Sequence, residues 1–123
     1  YGEESDLSIR LLDKGWETWK VPGYHVWHAR TFRQRTRQDR ADERMWGTMN
    51  DLAFIVRRCP GWLMWQYLVG NLTNQILFSL KNPRERLGPT LAGVAKFLLR
   101  FPQVWTTRRP VRRETWKQYR GLS

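Results

Sequence analysis

Apolar residues recur at helical spacing over most of this chain and alternate with polar ones only near its start. Leu7 and Leu11, with Ser8 and Leu12 beside them, give one apolar strip to a helix predicted over Gly2 to Lys14. Glu3, Glu4 and Asp6 fall in or before its first turn, where negative charge meets the positive end of the helix dipole. Gly15 follows at the position where a left-handed residue ends a helix. Trp16 to Val21 alternates aromatic or apolar with polar side chains, as a strand does. Pro22-Gly23 supplies a turn, and Tyr24 to His28 reads as a second short strand. A helix–strand–turn–strand order of this kind suits the closing edge of an α/β sheet.

From Arg30 to Arg44 the pattern lapses into an arginine-rich polar run, read as a linker or a solvated helix. Helical period returns at Met45, Met49, Leu52, Ala53 and Val56, and Pro60-Gly61 breaks it. Trp62, Trp65, Val69, Leu72, Ile76 and Leu80 form a second stripe, opposite Gln66, Gly70, Thr73 and Asn74. No charged residue occurs between Cys59 and Leu80, a length near the minimum for crossing a bilayer. The amides of Gln66, Asn71, Asn74 and Gln75 are costly in hydrocarbon unless paired. The pattern therefore predicts a helix lying in the membrane interface, with Trp and Tyr67 at headgroup depth, in preference to a spanning one. A third helix is predicted from Thr90 as its cap to Phe101, ended by Pro102. The last stretch, Arg108 to Arg120, mixes arginine with Trp116 and Tyr119. The reading divides into residues 1–29 as the end of a catalytic domain, 30–44 as basic linker, 45–106 as amphipathic helices and 107–123 as basic tail.

Charge changes this picture. With 123 residues and a formal net charge of +11, one domain is expected, drawn to a polyanion: anionic lipid, nucleic acid or a phosphorylated ligand. The lone Cys59 allows no internal disulfide and no metal cluster, which points to a reducing compartment. No cleavable leader is visible, and the chain opens on Tyr1 in mid-motif, as a piece of something longer would.

The candidate chemistry is confined to the start. Three carboxylates in four positions raise one another's pKa, which tunes one toward general-base work; taken alone they equally read as a charged helix cap. His25 and His28 point to opposite sides of a regular strand and are poor partners for one metal, although His28 alone suits a single imidazole ligand. A Gly-rich phosphate loop, a Cys/His zinc spacing and a nucleophile elbow are all missing from the sequence.

The residues Tyr1-Gly2-Glu3-Glu4-Ser5-Asp6-Leu7-Ser8-Ile9-Arg10-Leu11, followed by Gly15-Trp16, Val21-Pro22 and Val26-Trp27-His28, resemble the late motif of family 2 glycosyltransferases. Those are inverting enzymes of the GT-A fold that use nucleotide-sugar donors. The resemblance covers about the first quarter of the chain. It implies that Glu4, where the family usually has Asp, is the catalytic base. Glu3 and Asp6 would bind or orient the acceptor, Asp6 with Arg10 would hold the helix start, and His28 would approach a divalent metal (Mg²⁺ or Mn²⁺) or the donor diphosphate. The remainder is similar to the C-terminal regions by which many such bacterial enzymes lie against the cytoplasmic membrane, with Asn50 in an aromatic-Arg-Asn element that has Met49 in place of the arginine. The family's nucleotide-binding strands and Asp-x-Asp metal motif do not occur in these residues, so the isolated chain is expected to be inactive.

The expectation is thus an α/β fragment followed by a mostly α-helical, membrane-associated region. Its function would be inverting transfer of a sugar from a nucleotide-sugar donor to a hydroxyl acceptor, at the cytoplasmic face of the membrane. The rival is a basic nucleic-acid-binding or membrane-surface module without catalysis, in which Arg30–Arg44 and Arg108–Arg120 track phosphates. Steep salt dependence and indifference to lipid would mark nucleic-acid binding; pelleting with anionic liposomes would mark membrane attachment.

Overall fold

Helical period, once established, governs the tertiary structure throughout. The computed structural model describes residues 3–17, 19, 22–23 and 36–121. They form five helices: α1 (Glu3–Asp13), α2 (Arg37–Arg58), α3 (Leu63–Leu80), α4 (Pro83–Thr106) and α5 (Arg113–Gly121). Among the described residues there is no strand, so the expected α/β sheet edge is replaced by an all-helical domain. Trp16, Glu17 and Trp19 are described and belong to no strand, while the rest of the two predicted strands, His25 and His28 included, lies outside the described residues. The physical reason is that alternation marks a strand only where a neighbouring strand takes up its backbone N–H and C=O groups. No such neighbour exists among the helices here.

Several local signals behave as the sequence predicts. Gly15 follows α1 with φ +87°, and Gly61 follows Cys59-Pro60 with φ +51°, both in the left-handed region that favours glycine. α2 begins inside the arginine-rich run. Thr36 Oγ1 accepts the Asp39 N–H at 3.1 Å, and Asp39 Oδ2 accepts the Thr36 N–H at 2.9 Å, which satisfies two backbone donors at once. The face of α2 formed by Met49, Leu52, Ala53 and Val56 is buried, together with Thr48 and Ile55.

α4 departs from expectation. It starts at Pro83 instead of Thr90 and runs through both Pro89 and Pro102. Pro83 fits the first helical turn, where its missing N–H is an orphan anyway. Each internal proline removes one helical hydrogen bond and crowds the preceding turn, at about 3 kcal/mol. The carbonyls that lose these partners belong to Glu85 and Leu98, both exposed residues. The offset comes from packing: α4 shares its largest interface with α2 and buries Thr90, Gly93, Phe97 and Val104.

α3 packs against both, and a polar knot ties the three together. Arg44 of α2 donates to Thr90 Oγ1 on α4 (3.0 Å) and to Ser79 Oγ on α3 (3.2 Å), while Ser79 and Thr90 share a hydrogen bond of 2.7 Å. No helix among the described residues is long and apolar enough to cross a membrane. Even so, the stripe expected to lie in the interface is on the surface: Trp62, Trp65, Val69 and Leu80 of α3 are exposed, as are Leu91, Leu98, Leu99 and Trp105 of α4. Leu72 and Ile76 of that stripe are half-buried instead, as is Tyr67, which packs against Trp116.

Candidate functional site

α1 is fixed to the helical body by polar side chains at both ends and by buried Ile9 and Leu12 between them. Arg58, at the end of α2 and with its side chain only 12% exposed, forms a two-pronged ion pair with both carboxylate oxygens of Asp6, the longer contact being 3.1 Å. Arg10 Nε lies 3.2 Å from the same carboxylate. A fork of this kind fixes orientation as well as distance. At the far end of α1, Asp13 meets the start of α5. Its Oδ1 accepts the Arg112 backbone N–H (3.0 Å) and the Thr115 hydroxyl (2.8 Å), and the Arg112 guanidinium donates to the Asp13 backbone carbonyl at 2.6 Å. Burial works against the charge on Asp13. The Arg112 backbone N–H, the Thr115 hydroxyl and the Arg112 guanidinium outweigh it and hold the carboxyl below its usual range. Between these anchors Ile9 and Leu12 turn inward, while Leu7 and Leu11 stay exposed. Of the predicted strip Leu12 is buried and Leu7 and Leu11 are not; Ile9, in the hydrophobic core, and the ion pairs at both ends of α1 hold the helix at this rotation.

The arginines of the last segment do structural work. Arg108 donates to the carbonyls of Val56 (3.0 Å) and Cys59 (2.9 Å), capping the end of α2 where carbonyls lack helical partners. Backbone bonds from Arg109 N–H to the Arg57 carbonyl and from Val111 N–H to the Arg58 carbonyl, both 3.0 Å, continue this seam. They deliver Trp116 to the core, where it is 1% exposed and packs against Phe54, Tyr67 and Tyr119. Cys59 is fully buried nearby; burial pushes its thiol up to about 12, against the pull of Arg108 and Arg120.

Between α2, α3 and α5, with Ser5 of α1 at its rim, opens a groove of about 620 Å³. α3 turns its amides toward it (Gln66, Asn71, Asn74), while Phe54, Tyr67, Trp116 and Tyr119 supply aromatic walls and Asp51 a carboxylate. Tyr67 meets Trp116 edge-on, with ring centroids 5.3 Å apart. Burial raises the Asp51 pKa although the residue stands at the rim; Arg44 and the Gln75 amide, which donates to Asp51 Oδ2 at 3.0 Å, work in the other direction. Two buried polar atoms on this lining, Asn71 Oδ1 and Trp116 Nε1, have no hydrogen-bond partner in the protein.

Of the residues singled out in the sequence, Glu3 opens α1 and Glu4 is exposed in its first turn, next to Ser5 on the groove rim. Asp6 and Arg10 are brought together, with Arg58 as a third member that the sequence gave no reason to pair with them. His28 lies outside the described residues. Among the described residues no group of three His, Cys, Asp or Glu is placed to hold a metal ion. The groove residues were not legible as a site. The amides of α3 were a signal, being polar groups on an otherwise uncharged helix, but Trp116 was hidden in a basic tail. No family model, no curated protein and no solved structure matches this chain.

Proposed function

We propose that these residues are the C-terminal part of an inverting glycosyltransferase, which moves a sugar from a nucleotide-sugar donor to a hydroxyl acceptor. The observation that carries this reading is the posture of α1: clamped at both ends by Asp6–Arg58 and Asp13–Arg112, it leaves Glu4 exposed in its first turn, one residue before Ser5, which lines an open groove. A general base must stay accessible and well oriented, and a carboxylate on a clamped helix meets both needs. In the reaction Glu4 takes the acceptor proton as the hydroxyl attacks the anomeric carbon, and the nucleoside diphosphate departs from the opposite side. Leu7, Leu11, Trp16 and Trp19 are exposed on and just after α1, a surface suited to contact with a donor-binding portion elsewhere in the polypeptide. The divalent metal belongs to this reading, with His28 as the ligand that this chain would contribute; it would offset charge on the departing diphosphate.

The test uses the whole polypeptide encoded by the reading frame that contains these residues. Nucleoside diphosphate release from a nucleotide-sugar should fall by about 10²–10⁴-fold in Glu4→Gln, with the helical circular dichroism unchanged. Release that is insensitive to Glu4→Gln, or a frame without a donor-binding portion, overturns the reading.

A second observation favours attachment to an anionic membrane. α3 and α4 are in contact and both carry exposed apolar residues, and Lys81, Arg84 and Arg86 occur where the two helices join. Well-placed cations of this sort contribute about 1 kcal/mol each at an anionic surface. Pelleting with phosphatidylserine vesicles that drops in Val69→Glu/Leu98→Glu supports this; indifference to lipid, with salt-sensitive binding to nucleic acid, refutes it.

A further inference from the structure

The seam between α2 and α4 gathers cations without gathering acids. Ala53 and Arg57 stand one turn apart on α2, and Phe97 and Arg100 stand one turn apart on α4, so each pair shares a helix face. Where the two faces meet they leave a cavity of about 110 Å³. Ala53 and Phe97 contribute to its apolar part, and Asn50 and Gln103 add amides beside the two arginines. Among the described residues no carboxylate lines it. Arg57 is held by its Nε–H, which donates to Thr107 Oγ1 at 3.2 Å and leaves its terminal nitrogens for another acceptor. Arg100 Cζ lies 5.7 Å from the centroid of the Trp46 ring, and Lys96 Nζ lies 4.9 Å from the same centroid. A third cation therefore stands one turn before Arg100.

Like charges lining one small cavity repel, and an anion bound between them removes that repulsion. The planar fork of a guanidinium matches the oxygens of a phosphate. Size narrows the class further. A water molecule occupies about 30 Å³ in the liquid, so the cavity has room for a group of roughly three or four waters, the scale of a tetrahedral oxyanion. Drug-sized ligands need roughly 300–1,000 Å³ and do not fit. Leu98 and Trp105, the exposed apolar residues nearest in α4, lie roughly opposite Arg100 around the helix, at 3.6 residues per turn. The cavity thus faces away from the surface suited to lipid, and its ligand comes from solution.

We propose that this cavity is a binding site for a phosphate oxyanion, taken as free phosphate or as the phosphoryl group of a small soluble phosphomonoester, with Arg57 and Arg100 as its ligands. The site depends on neither the glycosyltransferase reading nor the membrane reading. The experiment is an NMR titration of the ¹⁵N-labelled chain at pH 7 with inorganic phosphate and with glycerol 3-phosphate. Ionic strength is fixed with sodium chloride, acetate is the control, and the Trp46 indole and the backbone N–H resonances around Arg57 and Arg100 are followed. The expected result is a saturable shift in the millimolar range or tighter with phosphate, and no saturation with acetate. Affinity should weaken about tenfold or more in Arg100→Gln, an exposed position whose replacement leaves the fold intact. Arg84→Gln, which removes an exposed arginine from the other end of α4, should bind as the unmodified chain does. Binding of inorganic phosphate alone identifies the free anion, and binding of both compounds identifies the phosphoryl group of a larger molecule. No saturable shift with either compound, an equal shift with acetate, or the same loss in Arg84→Gln as in Arg100→Gln overturns the proposal.

Discussion

Replacing Gly93 with alanine should force α4 away from α2. A Cβ at this position would stand 2.5 Å from the Met45 backbone carbonyl oxygen and 2.8 Å from Thr48 Cβ, whereas real Cβ atoms essentially never approach closer than 3.0 Å. The obstructing oxygen belongs to the backbone of α2 and cannot rotate aside. The helices must therefore part by roughly 0.5–1 Å, a gap that forfeits about a quarter to a half of the dispersion attraction across the contact. Overpacking of this kind costs about 1–3 kcal/mol, and a fixed backbone obstacle puts the cost at the upper end. Alanine recovers about 1 kcal/mol of helix propensity, which leaves a net loss of about 2 kcal/mol. Gly70→Ala is the matched control: the same propensity gain applies and nothing lies in the way, so it should stabilise by up to about 1 kcal/mol. Urea denaturation followed by far-UV circular dichroism separates the two. A Gly93→Ala variant as stable as the unmodified chain would falsify the close approach of α2 and α4.

Trp116→Ala should cost about 3–5 kcal/mol in the same assay, because it empties a fully buried site contacted by three other aromatic rings; a loss below about 1 kcal/mol would mean that α5 is not docked. Asp13 has a folded pKa below its ordinary value of 3.8, so its contribution is present above that pH and disappears as pH falls through the folded value. Thermal melts below about pH 4 should therefore show a steeper loss for the unmodified chain than for Asp13→Asn, and parallel curves would refute the Asp13–Arg112–Thr115 cluster. Cys59, fully buried and with its thiol pushed up to about 12, should resist thiol reagents at neutral pH until global unfolding exposes it. Rapid labelling of the native chain would show that the end of α2 opens locally.

Much of the helical framework was legible. Met49, Leu52, Ala53 and Val56 declared the buried face of α2, and Gly15 and Pro60-Gly61 marked real helix ends. The start of α2 was also written in the sequence, as Thr36 three residues before Asp39, although the surrounding arginines obscured it. Pro89 and Pro102 misled for the opposite reason. Their local cost is real, but burial along α2 outweighs it, and that burial cannot be read from a window of ten residues. The candidate site was less legible still. Glu4 and Asp6 stood out as acids at a helix start, but Arg58 and Arg112, which fix that helix, lie 52 and 99 residues from their partners.

The sequence by itself determined α1 and the middles of α2, α3 and α4 as helical, because period and capping act over a few residues and need no partner; it did not reveal α5 or the first turns of α4. Only the tertiary structure decided which apolar face is buried. α2 buries its stripe against α4, whereas Trp65 and Val69 of α3, and Trp62 just before it, remain outside. It also decided that a basic tail closes the core: Arg108 and Arg112 are charges in the sequence, but in the fold they cap α2 and join α5 to α1. The physical reason is range. Propensity is settled within one helical turn, while ion pairs, helix seams and the groove between α2, α3 and α5 depend on surfaces that meet only after the chain has folded back on itself.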